Sequence, residues 1–172
     1  EIAQAFRLAC RQSLHRAKNE GSAVPVITLD AREVPSEPAA WETVQLPLAP
    51  ALLTCAITNL VDNALRYHRG PTSVSATLQW HAGTAGDGQV EICVRDQGPG
   101  LTADECGQAL KRFWRKSGSD PGSGLGLTIV HRIAESAGGT LVLEPGTPGL
   151  VARLRLPICA ADAAPAHGIA PG

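Results

Sequence analysis

No stretch of this sequence is long and apolar enough to span a bilayer, and its start lacks the form of a secretory signal. An excess of charge of one sign is missing as well. Fifteen lysines and arginines against sixteen aspartates and glutamates leave a formal net charge of -1, so no strong field exists to draw in nucleic acid or acidic lipid. The five cysteines (Cys10, Cys55, Cys93, Cys106 and Cys159) offer no CxxC metal or redox pair. Their odd number and irregular spacing fit free thiols in a reducing compartment, not a disulfide framework. Nor does the chain open on methionine: it begins at Glu1 and is expected to be a piece of a longer protein. This piece is expected to be cytoplasmic, with any inner-membrane anchor lying elsewhere.

With 172 residues, 44% of them apolar, the chain suits one domain with a real hydrophobic core and is too short for two comfortable ones. Ile2, Ala5, Phe6, Ala9, Cys10 and Leu14 recur at helical spacing, so residues 1–19 read as a helix ended by Gly21. Val24 to Leu29 and Glu42 to Leu48 are short strand candidates on either side of a Pro- and Ala-rich loop over 31–40. Residues 51–68 form the clearest helix, with Leu52, Leu53, Ala56, Ile57, Leu60, Ala64 and Leu65 in one broad apolar stripe. Two alternating runs, Thr72 to Trp80 and Val90 to Val94, read as a hairpin. A glycine-rich polar stretch over about 101–123, with a short helical piece near Ala103 to Leu110, reads as a lid. A helix from about Leu125 to Ala137 follows, and strands at Leu141 to Leu143 and Leu150 to Leu156 close the domain. The domain is expected over 1–159, with a flexible tail over 160–172. This order predicts an α+β fold, a two-layer sandwich in which three helices cover one face of a mixed sheet.

Four constellations carry chemistry. Asn59, Asn63, Arg66 and Tyr67 are spaced i, i+4, i+7, i+8 on the long helix and so project from one face. Carboxamide oxygens suit a hard cation such as Mg²⁺, Arg66 a phosphate and Tyr67 a base; a solvated helix face would read the same way. Asp96-Gln97-Gly98-Pro99-Gly100 directly follows a strand. The carboxylate can accept from an exocyclic amine such as that of adenine, and the glycines let backbone approach a flat ligand. An ordinary strand-to-loop turn has the same composition. Gly122-Ser123-Gly124-Leu125-Gly126-Leu127 opens a helix, where free backbone N–H groups and the helix dipole together form a phosphate cradle. No Lys-Ser/Thr follows, which excludes a Walker A loop, and no strand precedes it, which disfavours a dinucleotide fingerprint. Lys111 to Lys116 places Phe113 and Trp114 among cations, offering charge to a triphosphate.

Taken singly, each feature is common; their order and separations together are not. The sequence resembles the catalytic ATP-binding domain of two-component sensor histidine kinases, of the Bergerat type shared with gyrase. Asn59 to Tyr67 resembles the family's N box, Asp96 to Gly100 its G1 box, Arg112 to Arg115 its F box and Gly122 to Leu127 its G2 box. The resemblance is specific from about residue 55 to 139.

The resemblance implies a domain that binds ATP with Mg²⁺ and donates the γ-phosphate to a histidine on a separate dimerisation and phosphoacceptor domain, for relay to a response regulator. Asn63 would ligand Mg²⁺ with Asn59 assisting, Arg66 would touch phosphate, Tyr67 would lie near the adenine, and Asp96 would bind its amine. Gly98 and Gly100 would admit the purine. Gly122, Gly124, Leu125, Gly126 and Leu127 would shape the phosphate end, and Arg115 and Lys116 would be the lid cations. Phe113 would anchor the lid, Asp62 would pair with Arg66, and His131 would be structural or exposed. Asn59 stands where the ATP-hydrolysing relatives place a glutamate, and an amide cannot serve as a general base. His15 has no acidic neighbour of the kind that follows the family's phosphoacceptor, so this chain is expected to lack that histidine. An ATP-sensing module without phosphotransfer and a serine kinase of the anti-sigma type are the competing readings.

Overall fold

The structure, a computed structural model, describes residues 2–19, 28–30, 44–69, 74–81, 88–116 and 123–159. Helix α1 (Ile2–Asn19) buries Ile2, Ala5, Phe6, Ala9 and Cys10 of the stripe that its spacing predicts; Leu14 is only partly buried against the core, and Ser13 is buried instead. Helix α2 (Pro50–Tyr67) starts on Pro50, whose fixed φ and missing N–H are tolerated in a first turn. It buries Leu53, Ala56, Ile57, Leu60, Val61 and Ala64. Leu52, expected in that stripe, is exposed in the first turn. Helix α3 (Ala103–Ala109) is short but held by a capping box: Thr102 Oγ1 accepts from the Glu105 N–H at 3.2 Å and Glu105 Oε2 accepts from the Thr102 N–H at 2.8 Å. Helix α4 (Gly126–Ser136) ends where Gly138 turns to φ +68 and the Gly139 N–H reaches Ala134 O at 2.8 Å.

The described strands are β1 (Thr28–Asp30), β2 (Ser75–His81), β3 (Gln89–Arg95), β4 (Thr140–Pro145) and β5 (Leu150–Pro157). They form one sheet in the order β1-β2-β3-β5-β4. β1 runs parallel to β2 and the other pairings are antiparallel, so the sheet is mixed, as expected. Strand alternation sends Ala76, Leu78, Val90, Ile92, Val94, Leu154 and Leu156 into one aliphatic core with the buried faces of α1, α2 and α4. The opposite face carries an ionic ladder across β4, β5 and β3. Arg153 reaches Glu144 at 3.1 Å and Glu91 at 2.9 Å, and Arg155 reaches Glu91 at 2.7 Å. Burial would push the Glu91 carboxyl up, but the hydrogen bonds from Arg155 and Arg153 overcome it and hold the group below the usual carboxylate range.

The strand expected at Glu42 to Leu48 reduces, over its described part, to a bridge between Gln45 and Cys159. Pro47 and Pro50 remove the backbone donors that a longer ladder would use. Residues 24–27 of the first strand candidate, the expected loop at 31–40, residues 117–122 of the expected lid and the expected tail at 160–172 lie outside the described residues.

Candidate functional site

The C-terminal half of α2, the turn after β3, the stretch around α3, the start of α4 and the start of β5 enclose a cavity of about 400 Å³. That volume suits a small molecule. Of the residues singled out in the sequence, Asn59, Asn63, Arg66, Tyr67, Asp96, Gly100, Arg115, Lys116, Gly124, Gly126 and Leu127 line it. Gly98 is buried beneath the wall, Leu125 is the residue that caps α4, and Gly122 lies outside the described residues.

At one end sits Asp96, which is 3% exposed. Its Oδ1 accepts from the Gly98 N–H at 2.7 Å and the Leu150 N–H at 3.3 Å. These two donors fix the carboxylate, and among the described residues no hydrogen bond claims Oδ2. Burial raises the Asp96 pKa, while the Gly98 and Leu150 N–H groups and the nearby His68 pull it back in part. The backbone here is packed too tightly for side chains. A Cβ on Gly98 would lie 2.2 Å from Tyr67 O, so the end of α2 and the turn after β3 touch backbone to backbone.

At the other end are the amides. Asn59 Nδ2 donates to Cys55 O at 2.9 Å. A carbonyl can only accept, so the amide nitrogen is committed there and Oδ1 faces away from its own helix. A Cβ on Gly126 would stand 3.1 Å from that Oδ1, which places the Asn59 oxygen against the first turn of α4. Asn63 follows one turn later on the same cavity wall. The cap position of α4, Leu125, supplies no side-chain hydrogen bond, so among the described residues no side chain caps the backbone N–H groups at the helix start. Arg66, Arg69, Arg115 and Lys116 add positive charge around the cavity, against Asp62 and Asp96.

The structure overturns two expectations for individual residues. Phe113 does not anchor the lid: it is 66% exposed, at φ +63, with the Arg112 guanidinium 5.8 Å above its ring. Trp114 takes that place. It packs against the core, lines the cavity and donates from Nε1 to Gln108 Oε1 at 3.2 Å. The backbone forces the exchange, because the Phe113 N–H bonds to Gly124 O at 3.2 Å and the positive φ turns the ring outward. Asp62 does not pair with Arg66; its carboxylate takes the Arg16 guanidinium of α1, which α2 packs against. His131 pairs with Glu135 at 3.5 Å, in keeping with a structural role, and His15 is exposed.

A family model described as histidine kinase-, DNA gyrase B- and HSP90-like ATPase matches residues 49–159. The chain belongs to this ATPase family. Among its curated relatives, the signal transduction histidine-protein kinase AfsQ2 of Streptomyces coelicolor is 35% identical over 133 residues, 75% of this chain and 23% of that protein. The sensor-like histidine kinase SenX3 of Mycolicibacterium smegmatis is 37% identical over 56% of this chain and 25% of its own length. The chain thus spans about a quarter of these relatives. Among solved structures, a mycobacterial sensor histidine kinase, MprB, superposes with a TM-score of 0.62 at 26% identity, over 88% of this chain and 93% of that one. The fold is also that of full-length ShkA in complex with AMPPNP, with a TM-score of 0.67 at 20% identity over 93% of this chain and 30% of that one.

Within this ATPase domain, three contributors escape a reading of motifs. Gly149, in the β4–β5 turn, sits at φ +93, and a Cβ there would lie 2.1 Å from Asp96 O. With Leu150 it braces Asp96 from a point 53 residues along the chain; only the turn composition of Pro145 to Gly149 hints at it. Arg69 lines the cavity from just beyond α2. Glu105, inside the capping box, also takes Lys116 Nζ at 3.0 Å.

Proposed function

We propose that this domain holds Mg-ATP and passes the γ-phosphate to a histidine on a separate dimerisation and phosphoacceptor domain of a sensor kinase, for relay to a response regulator. One observation carries the reading: a buried carboxylate with one oxygen fixed and the other unclaimed among the described residues lies at one end of a cavity whose other end gathers amide oxygens, cations and a helix start without a side-chain cap from Leu125. An adenine amine would donate to Asp96 Oδ2, with Tyr67 beside the ring. The triphosphate would run toward Arg66, Arg115, Lys116 and the N–H groups at Gly126 and Leu127.

Asn63, with Asn59 assisting, would hold Mg²⁺ through side-chain oxygens. The orientation of Asn59 Oδ1 toward the start of α4 fits that role. Among the described residues no group of three His, Cys, Asp or Glu is placed to hold a metal, so such an ion would share its shell with phosphates and water. When bound it supplies neutralisation of phosphate charge. The protein's own residues position the nucleotide and offset its charge; Asn59 cannot abstract a proton, which keeps the phosphate for the histidine.

The test is phosphotransfer from radiolabelled Mg-ATP to a dimerisation domain bearing its histidine. Asn63→Ala should abolish transfer while circular dichroism and the melting curve stay unchanged. Undiminished transfer would remove Asn63 from the metal site. A product that survives acid would assign the phosphate to serine and overturn the histidine reading.

A further inference from the structure

Lys116 Nζ lies 3.2 Å from Gly100 O and 3.0 Å from Glu105 Oε2. The same Glu105 oxygen accepts the Thr102 N–H that closes the capping box of α3. That backbone N–H, followed by Lys116, holds the Glu105 carboxyl below the usual carboxylate range, so the pair is ionic at neutral pH. Lys116 also lines the cavity. One ammonium therefore belongs at once to the wall of the proposed nucleotide site and to an ion pair with the first turn of α3.

We infer that Glu105 is a positioning residue that tunes affinity for the distal phosphates by competing for Lys116, making the bridge a latch that the triphosphate must open. The inference rests on the proposed nucleotide site. Lys116 cannot give its full charge both to Glu105 and to a phosphate, so nucleotide binding and the bridge exclude one another in proportion to the phosphate charge that reaches Lys116. Adenosine leaves the bridge intact and ATP opposes it most. The pair is partly exposed, with side chains 40% and 27% accessible, so it is worth no more than a surface ion pair.

Glu105→Gln separates the latch from the cap, because glutamine still accepts the Thr102 N–H while losing the charge that holds Lys116. Binding of adenosine, ADP and ATP, each with magnesium, would be titrated calorimetrically to wild type, Glu105→Gln, Lys116→Gln, the double variant and Thr102→Val. The latch requires Glu105→Gln to tighten ATP about two- to fivefold at low salt and to leave adenosine unmoved. The gain should shrink as salt rises and vanish in the Lys116→Gln background. Thr102→Val, which weakens the cap alone, should not reproduce it. Equal shifts for adenosine and ATP, or none for ATP, overturn the latch while leaving the site intact. Wild type that binds ATP no better than adenosine overturns the proposed site and the latch with it.

Discussion

Asp96→Asn separates binding from stability at a single atom. The Gly98 and Leu150 N–H groups both point at Oδ1, so an asparagine must place its carbonyl oxygen there and turn its NH2 toward the cavity. In the proposed pose that NH2 meets the adenine amine, donor against donor. Losing a bond to a charged acceptor and stranding a buried donor should together cost about 2–4 kcal/mol, roughly 30- to 700-fold in Kd. Guanine carries an acceptor at the corresponding position, so the preference for adenine over guanine nucleotides should fall. Folding stability should move the other way. Burial raises the Asp96 pKa, so the folded chain holds that proton more tightly than the unfolded one. The stability contributed by the group is present below its unfolded pKa and lost as pH rises through the folded value. At neutral pH the wild type therefore carries a buried charge that asparagine lacks. The variant should melt at or above the wild-type temperature at pH 7, and its margin should close as pH falls through the raised folded value, the change being complete once pH drops to about 3.9. Titration with ATP and GTP, together with urea melts at several pH values, would check both halves. Wild-type ATP affinity, or a variant destabilised at pH 7, would refute the reasoning.

Gly149→Ala should destabilise the fold by about 1–3 kcal/mol and weaken ATP binding, because the added methyl meets Asp96 O at 2.1 Å in a left-handed backbone; denaturant midpoints and nucleotide titration read the two effects. Glu91 sits between two arginines and is held below the usual carboxylate range, so its contribution is present above its unfolded pKa and lost as pH falls through the folded one. Glu91→Gln should thus cost about 1–2 kcal/mol at pH 7 and flatten the acid limb of the stability curve, checked by urea melts from pH 6 to pH 3. Truncating the aromatic pair should invert the ranking expected from the resemblance: Trp114→Ala should lower both ATP affinity and the melting temperature, while Phe113→Ala, at an exposed ring, should leave the melting temperature within about a degree or two.

Helix α2 was legible because one apolar stripe and one polar face coexist in 18 residues, and both faces are used. The convergence of Asn59, Asp96 and Gly126 was legible only through the resemblance, since spacing along the chain cannot place three elements around one cavity. The exchange of Phe113 for Trp114 was not legible, because an aromatic pair gives no sign of which backbone angle will turn positive. Gly149 was hidden for a different reason. Its role is a contact with Asp96 across the β3–β5 pairing, and a glycine in a hairpin turn has a local explanation that conceals a distant one. The Lys116 bridge was not legible, because Glu105 and Lys116 stand 11 residues apart and nothing in that spacing signals a contact.

The tight meeting of Tyr67, Gly98, Asp96 and Gly149 bears on inhibitor selectivity. A competitor that grips only Asp96 meets a floor shaped by main-chain atoms, which side-chain changes elsewhere do little to remodel. The wall formed by Trp114, Arg115 and Lys116 is instead shaped by side chains, so in the proposed site a compound built for discrimination would extend across the cavity to reach it.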